Sequence, residues 1–172
     1  DENQIKTALY ACQKTYQDNA KVLGYNEQGV LVTLKEGTGE MICLGDDPNK
    51  EGIGVSCYSS KLEAFMTRGR ELIAEGKTEI EKREIRKKEI DEGTLMMPQI
   101  LAAVYIVKAK QEDYNVETGE LKSHTIRYAY YKPYMTGAET GLPTTPEAPG
   151  MPWLMDADTH RSHIMVTPES GN

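Results

Sequence analysis

Apolar side chains recur at helical spacing over residues 3–23. Ile5, Ala8, Leu9, Cys12, Tyr16, Ala20 and Leu23 share one face, which predicts an amphipathic helix ended by Gly24. The pattern then changes to short β-prone runs. Val30 to Leu34 and Met41 to Leu44 flank Glu36-Gly37-Thr38-Gly39 and predict a hairpin. Ile53, Val55 and Cys57 alternate with small residues, as a third strand would. Ser60-Lys61-Leu62-Glu63 has the spacing of a capping box, and Leu62, Phe65, Met66, Gly69 and Ile73 make the stripe of a second amphipathic helix that Gly76 ends. Residues 78–92 differ. Their isoleucines, at 80, 85 and 90, stand five apart and point about 140° away from one another, so they form no single face. Glu79–Arg83 and Glu84–Lys88 support a charged helix, either solvated or an arm for a second copy of the chain.

Leu101 to Lys108 has the composition of a central strand, and Thr125 to Tyr131 of its neighbour. Pro133 to Pro152 holds five of the eight prolines and cannot be regular structure. It predicts a wrapping loop that leads to a last strand at Ile164 to Val166. The expected fold is α+β in one domain over 1–172. Five to six strands form a mainly antiparallel sheet or small barrel, packed by two amphipathic helices. The charged helix 78–92 and the Pro-rich loop 133–153 are appendages.

Composition narrows the partners. Twenty Lys and Arg against 27 Asp and Glu give a formal charge of −7, which argues against nucleic acid. The longest apolar run, residues 100–107, is far below the roughly 20 residues that span a bilayer. The chain begins at Asp1 without a Met, as a product with its signal peptide removed, or a chain shortened in another way, would. Cys43 and Cys57 each end an apolar run, and adjacent strands could bring them within bridging distance. The favoured reading is that all three cysteines, Cys12 included, are small buried hydrophobes.

Three clusters could carry chemistry. Tyr128, Tyr130 and Tyr134, with Trp153, could line a pocket under the Pro-rich loop for a flat ligand or an extended peptide. Asp156, Asp158, His160 and His163 offer metal-ligand types, and Met151, Met155 and Met165 nearby would suit copper or haem. Ser59, Ser60 and Lys61 stand where a strand runs into a helix and could hold a phosphate. That corner, with the hairpin before it, resembles flavin-binding split barrels over roughly residues 1–75. No nucleophile-elbow, Walker, dinucleotide or zincin motif is present, so no catalytic residue is assigned.

The phrases CLGDDPNKEGIGVSCYSSKLEAFMTRGREL and APGMPWLMDADTHRSHIMV resemble segments of uncharacterised exported bacterial proteins. The resemblance implies a periplasmic or secreted protein and carries no activity. The leading expectation is a binding domain for a small molecule or protein partner in a Tyr/Pro-lined pocket. The alternatives are a metal- or haem-binding protein and a flavin-binding oxidoreductase.

Overall fold

The computed structural model describes residues 2–169. Helix α1 (Glu2–Ala8), a 3-10 turn (Leu9–Ala11) and the short α2 (Lys14–Gln17) precede strands β1 (Lys21–Tyr25), β2 (Leu31–Lys35), β3 (Met41–Leu44) and β4 (Ile53–Ser59). Helices α3 (Glu63–Ala74) and α4 (Glu79–Asp91) follow. After them come β5 (Ala102–Ala109), a ribbon of β6 (Tyr114–Asn115) and β7 (Glu120–Leu121), β8 (Thr125–Tyr131), α5 (Gly137–Thr140), β9 (Trp153–Met155) and β10 (His163–Val166). Eight strands form one open sheet in the order β2-β1-β3-β4-β5-β8-β10-β9. Only the β1–β3 pair is parallel among them. The α+β class and the antiparallel sheet are as expected, with more strands and no closure into a barrel.

The expected helix over 3–23 breaks in three. Gln13 is extended, and the Gln17 side-chain amide donates to Leu9 O and Cys12 O at the break. Leu23, assigned to a helix face by its spacing, instead lies in β1 with β2 and β3 on either side. The expected hairpin is also absent, because β1 inserts between its two arms. A close approach makes this possible: a Cβ on Gly37 would sit 2.4 Å from Asn19 O and from Lys21 N, so only glycine lets 37–39 cross the start of β1.

The sheet is covered on both faces. Ala8, Ala11 and Cys12 pack on Val22, Cys43, Val55, Cys57 and Val107. On the other face, Leu62 and Phe65, with Leu95 and Met97, pack on Ile42, Tyr58, Val104 and Ala129. The expected capping box at Ser60 and Glu63 does not form. Ser59 Oγ accepts from Lys61 N, and Glu63 instead takes the Tyr58 hydroxyl at 2.6 Å. Reciprocal boxes stand at Thr78/Glu81 and Thr136/Glu139.

Helix α4 docks on its own chain through a cation. Buried Arg86 lays its guanidinium 3.9 Å over the Phe65 ring and donates to Phe65 O at 3.2 Å. Gly69 faces it: a Cβ there would meet Arg86 Nη1 at 3.0 Å. Arg68 Nε binds both Glu89 oxygens, at 2.9 and 3.1 Å. Ile90 adds apolar contact, while Ile80 is 70% exposed. The helix thus lacks an apolar face, as its spacing says, yet is not wholly solvated.

Candidate functional site

The segment 156–163 is a tight turn feeding β10, and it is zipped to residues 132–136. Tyr134 N donates to Thr159 O and Asp158 N to Met135 O, each at 2.8 Å. Fully buried Ser162 ties the two strips together, its Oγ accepting from Met135 N and donating to Lys132 O. Three non-glycine residues sit at positive φ among the described residues: Tyr134 at 60°, Asp156 at 52° and Asp158 at 56°. All three line one cavity. Left-handed backbone at non-glycine residues costs about 1–3 kcal/mol each and collects where a site demands a particular aim.

That cavity, of about 220 Å³, is bounded by Arg83 and Lys87 of α4, Tyr134, and Asp156, Asp158, Thr159, His160 and Arg161 of the turn. It is smaller than the roughly 300–1,000 Å³ that drug-sized ligands occupy, so it suits a small ion or molecular fragment. Asp91 is engaged by the Tyr134 hydroxyl at 2.9 Å and by Lys87. Arg161 Nη1 lies 3.5 Å from Asp156 Oδ2, an ion pair without hydrogen-bond geometry. Arg83 makes no ion pair among the described residues, and Arg86 lies behind the wall. Three cations, Arg83, Lys87 and Arg161, therefore line the cavity against two carboxylates, Asp156 and Asp158, a local excess of positive charge in an acidic chain.

His160 is the anomaly of the site. It is 5% exposed, and neither ring nitrogen has a hydrogen-bond partner among the described residues. Its ring stands edge-on to Phe65, centroids 6.4 Å apart. Burial, then the charges of Arg161, Arg86 and Lys87, pulls its pKa down to about 4, so the ring is neutral at pH 7. Burial likewise lowers the Arg86 guanidinium to about 10, with Arg161 adding to the effect. A neutral imidazole presents one donor and one acceptor, and leaving both unmet in a protein interior is costly.

The other expected site residues divide. His163 is on β10, its ring stacked on Tyr131 at 4.4 Å and its Nδ1 2.8 Å from Arg161 O. It does not line the cavity with His160. Asp156, Asp158, His160 and His163 do not gather as a set of metal ligands: the group of three or more ligand atoms close enough to share an ion, among the described residues, is Cys12, Cys43 and Cys57. Trp153 lies across the sheet from Tyr128 and Tyr130, because Trp153 pairs with Met165 and Met165 with Ala129, in the row between the tyrosines. Trp153 instead lines a groove of about 600 Å³ with Arg127, Met151, Met155, Met165 and Pro149. Tyr128 and Tyr130 stand edge-on around Tyr105, centroids 5.7 and 6.4 Å away. At the third cluster Ser59 Oγ is spent on Lys61 N, and Ser60 N donates to Glu40 O. The amides a phosphate would use are already satisfied there.

Arg83, Lys87 and Arg161 were missed as site residues. The i,i+4 spacing of Arg83 and Lys87 places both on one helix face, but nothing local says what that face meets. No family model, no curated protein and no solved structure matches this chain. The site is therefore read from its own geometry.

Proposed function

We propose that this chain is an exported bacterial domain that binds a small oxyanion, a carboxylate or phosphate group, in the cavity between α4 and the 156–161 turn, without transforming it. One observation carries the reading: a buried histidine with two unsatisfied ring nitrogens lines a cavity edged by Arg83, Lys87 and Arg161. An oxyanion accepts from the ring N–H and from the guanidinium groups, and charge-assisted bonds of this kind are the stronger ones. Nothing beside the ring resembles an activated nucleophile, which favours binding over catalysis. The Cys43–Cys57 bridge is in keeping with export into an oxidising compartment.

Titration of the purified protein with sulfate, phosphate and succinate tests the reading. One-to-one saturable binding of at least one of them is expected. Arg161→Gln should weaken it about tenfold, the loss of one charge-assisted bond worth about 1.4 kcal/mol. No saturable binding of any of the three contradicts it. Metal, haem and flavin readings predict a bound metal or a visible chromophore instead, which elemental analysis and an absorption spectrum detect.

A further inference from the structure

On the opposite face of the sheet, far along the chain from His160, three sulfurs meet. Cys43 and Cys57 face each other on β3 and β4 and form a disulfide. Cys12, between the 3-10 turn and α2, is a free buried thiol. The three sulfur atoms lie within 4.8 Å of one another. All three residues are 6% exposed or less, walled by Ala8, Ala11, Ala20, Val22, Val55 and Val107.

We propose that Cys12, Cys43 and Cys57 form a redox-gated site for a soft, thiophilic metal ion, closed while the disulfide stands and opened when an external thiol reductant removes it. The reductant supplies two electrons and two protons, cleaving the Cys43–Cys57 bond to two thiols and leaving as its own disulfide. A divalent ion then takes three thiolates and releases three protons to solvent. Metal–sulfur bonds of about 2.3 Å in a trigonal arrangement place the sulfurs about 4 Å apart. The Cys12 sulfur already lies within 4.8 Å of both others, so the Cys43–Cys57 pair is what has to open.

The donor set states its preference. Three sulfurs and no nearby imidazole or carboxylate suit a soft ion that accepts three-coordinate thiolate, such as cadmium or mercury. Three thiolates around a divalent ion leave one net negative charge in an apolar wall. Burial raises the Cys12 thiol's pKa; the Lys35 ammonium, whose Nζ donates to Gln17 O, Asp18 O and Ala20 O, reduces that effect and is the positive charge nearest to hand. Bridge and metal exclude each other, so the same three residues hold an ion under reducing conditions and a cross-link under oxidising ones.

The test uses the full chain, reduced with excess dithiol, exchanged into oxygen-free buffer and titrated with cadmium. The proposal expects a thiolate-to-cadmium charge-transfer band in the ultraviolet that saturates at one ion per chain. It also expects no such band in the oxidised protein and loss of one-to-one binding in Cys12→Ser. Should Cys12→Ser fail to fold, alkylation of the reduced wild type decides: cadmium must protect all three cysteines from iodoacetamide. Absence of the band, binding by Cys12→Ser as tight as by wild type, or alkylation of Cys12 despite bound cadmium each overturns the proposal. His160→Gln should leave the band unchanged, which separates this site from the anion cavity.

Discussion

Buried His160, with neither ring nitrogen partnered among the described residues, is the residue on which the proposed anion site turns. Its burial has a consequence for stability. The unfolded chain protonates His160 near pH 6.5, while the folded ring resists to about pH 4. Between those values the unfolded state binds more protons, so stability is full above pH 6.5 and falls as pH drops toward 4. The loss amounts to about 3 kcal/mol, from the gap between the two values. Thermal melts across this window should show the melting temperature falling with acid, and His160→Gln should flatten that fall. A second expectation concerns the thiols. Under native conditions Cys12 should resist alkylation. One thiol should label after denaturation without reductant and three after reduction, counted by mass spectrometry. The sequence singled out Asp156, Asp158, His160 and His163 as metal-ligand types; the structure puts the first three on one cavity wall and His163 on β10 outside it. Three-residue spacing says nothing of where a turn ends and a strand begins, so that separation was not legible.

At the scale of elements, the instructive case is α4. Its isoleucines form no face, and that much was legible. What holds it is Arg86 on Phe65 and Arg68 on Glu89, contacts between residues about 21 apart that no periodicity reveals. Gly69→Ala should press a methyl on the Arg86 guanidinium, but the gain of about 1 kcal/mol in helix propensity offsets much of that, so urea denaturation should show a loss of no more than about 1 kcal/mol. Arg86→Ala should cost about 2 kcal/mol, because it removes the guanidinium's bond to Phe65 O and uncovers the Phe65 ring. Both variants should also weaken anion binding, since α4 carries Arg83 and Lys87 into the cavity. The strands β3, β4, β5, β8 and β10 were readable from β-branched and aromatic runs. β1 was not, because Leu23 also completes a helical stripe. β9 was hidden inside a proline-rich stretch, where Leu154 N pairs with Pro143 O and the loop covers the sheet's outer edge.

For the whole molecule, the architecture explains why two chemistries can coexist. A single open sheet separates the sulfur cluster under α1 from the cation-edged cavity under α4, so each has its own apolar wall. The strand order was beyond local reading: the insertion of β1 between β2 and β3 depends on a glycine crossing, and pairing partners are set by the register of distant segments. The Cys43–Cys57 bridge ties adjacent strands across a 14-residue separation. On loop-closure grounds its reduction should lower stability by about 3 kcal/mol, read as a lower denaturant midpoint in dithiothreitol.

The most direct test follows the His160 ring by NMR through an acid titration, with and without saturating sulfate, an anion whose charge is constant over the range. Without sulfate the ring should titrate near pH 4. A bound dianion favours the protonated ring, so with sulfate the titration should move up toward the ordinary value, and sulfate affinity should rise as pH falls. A His160 titration identical with and without sulfate would contradict the anion site.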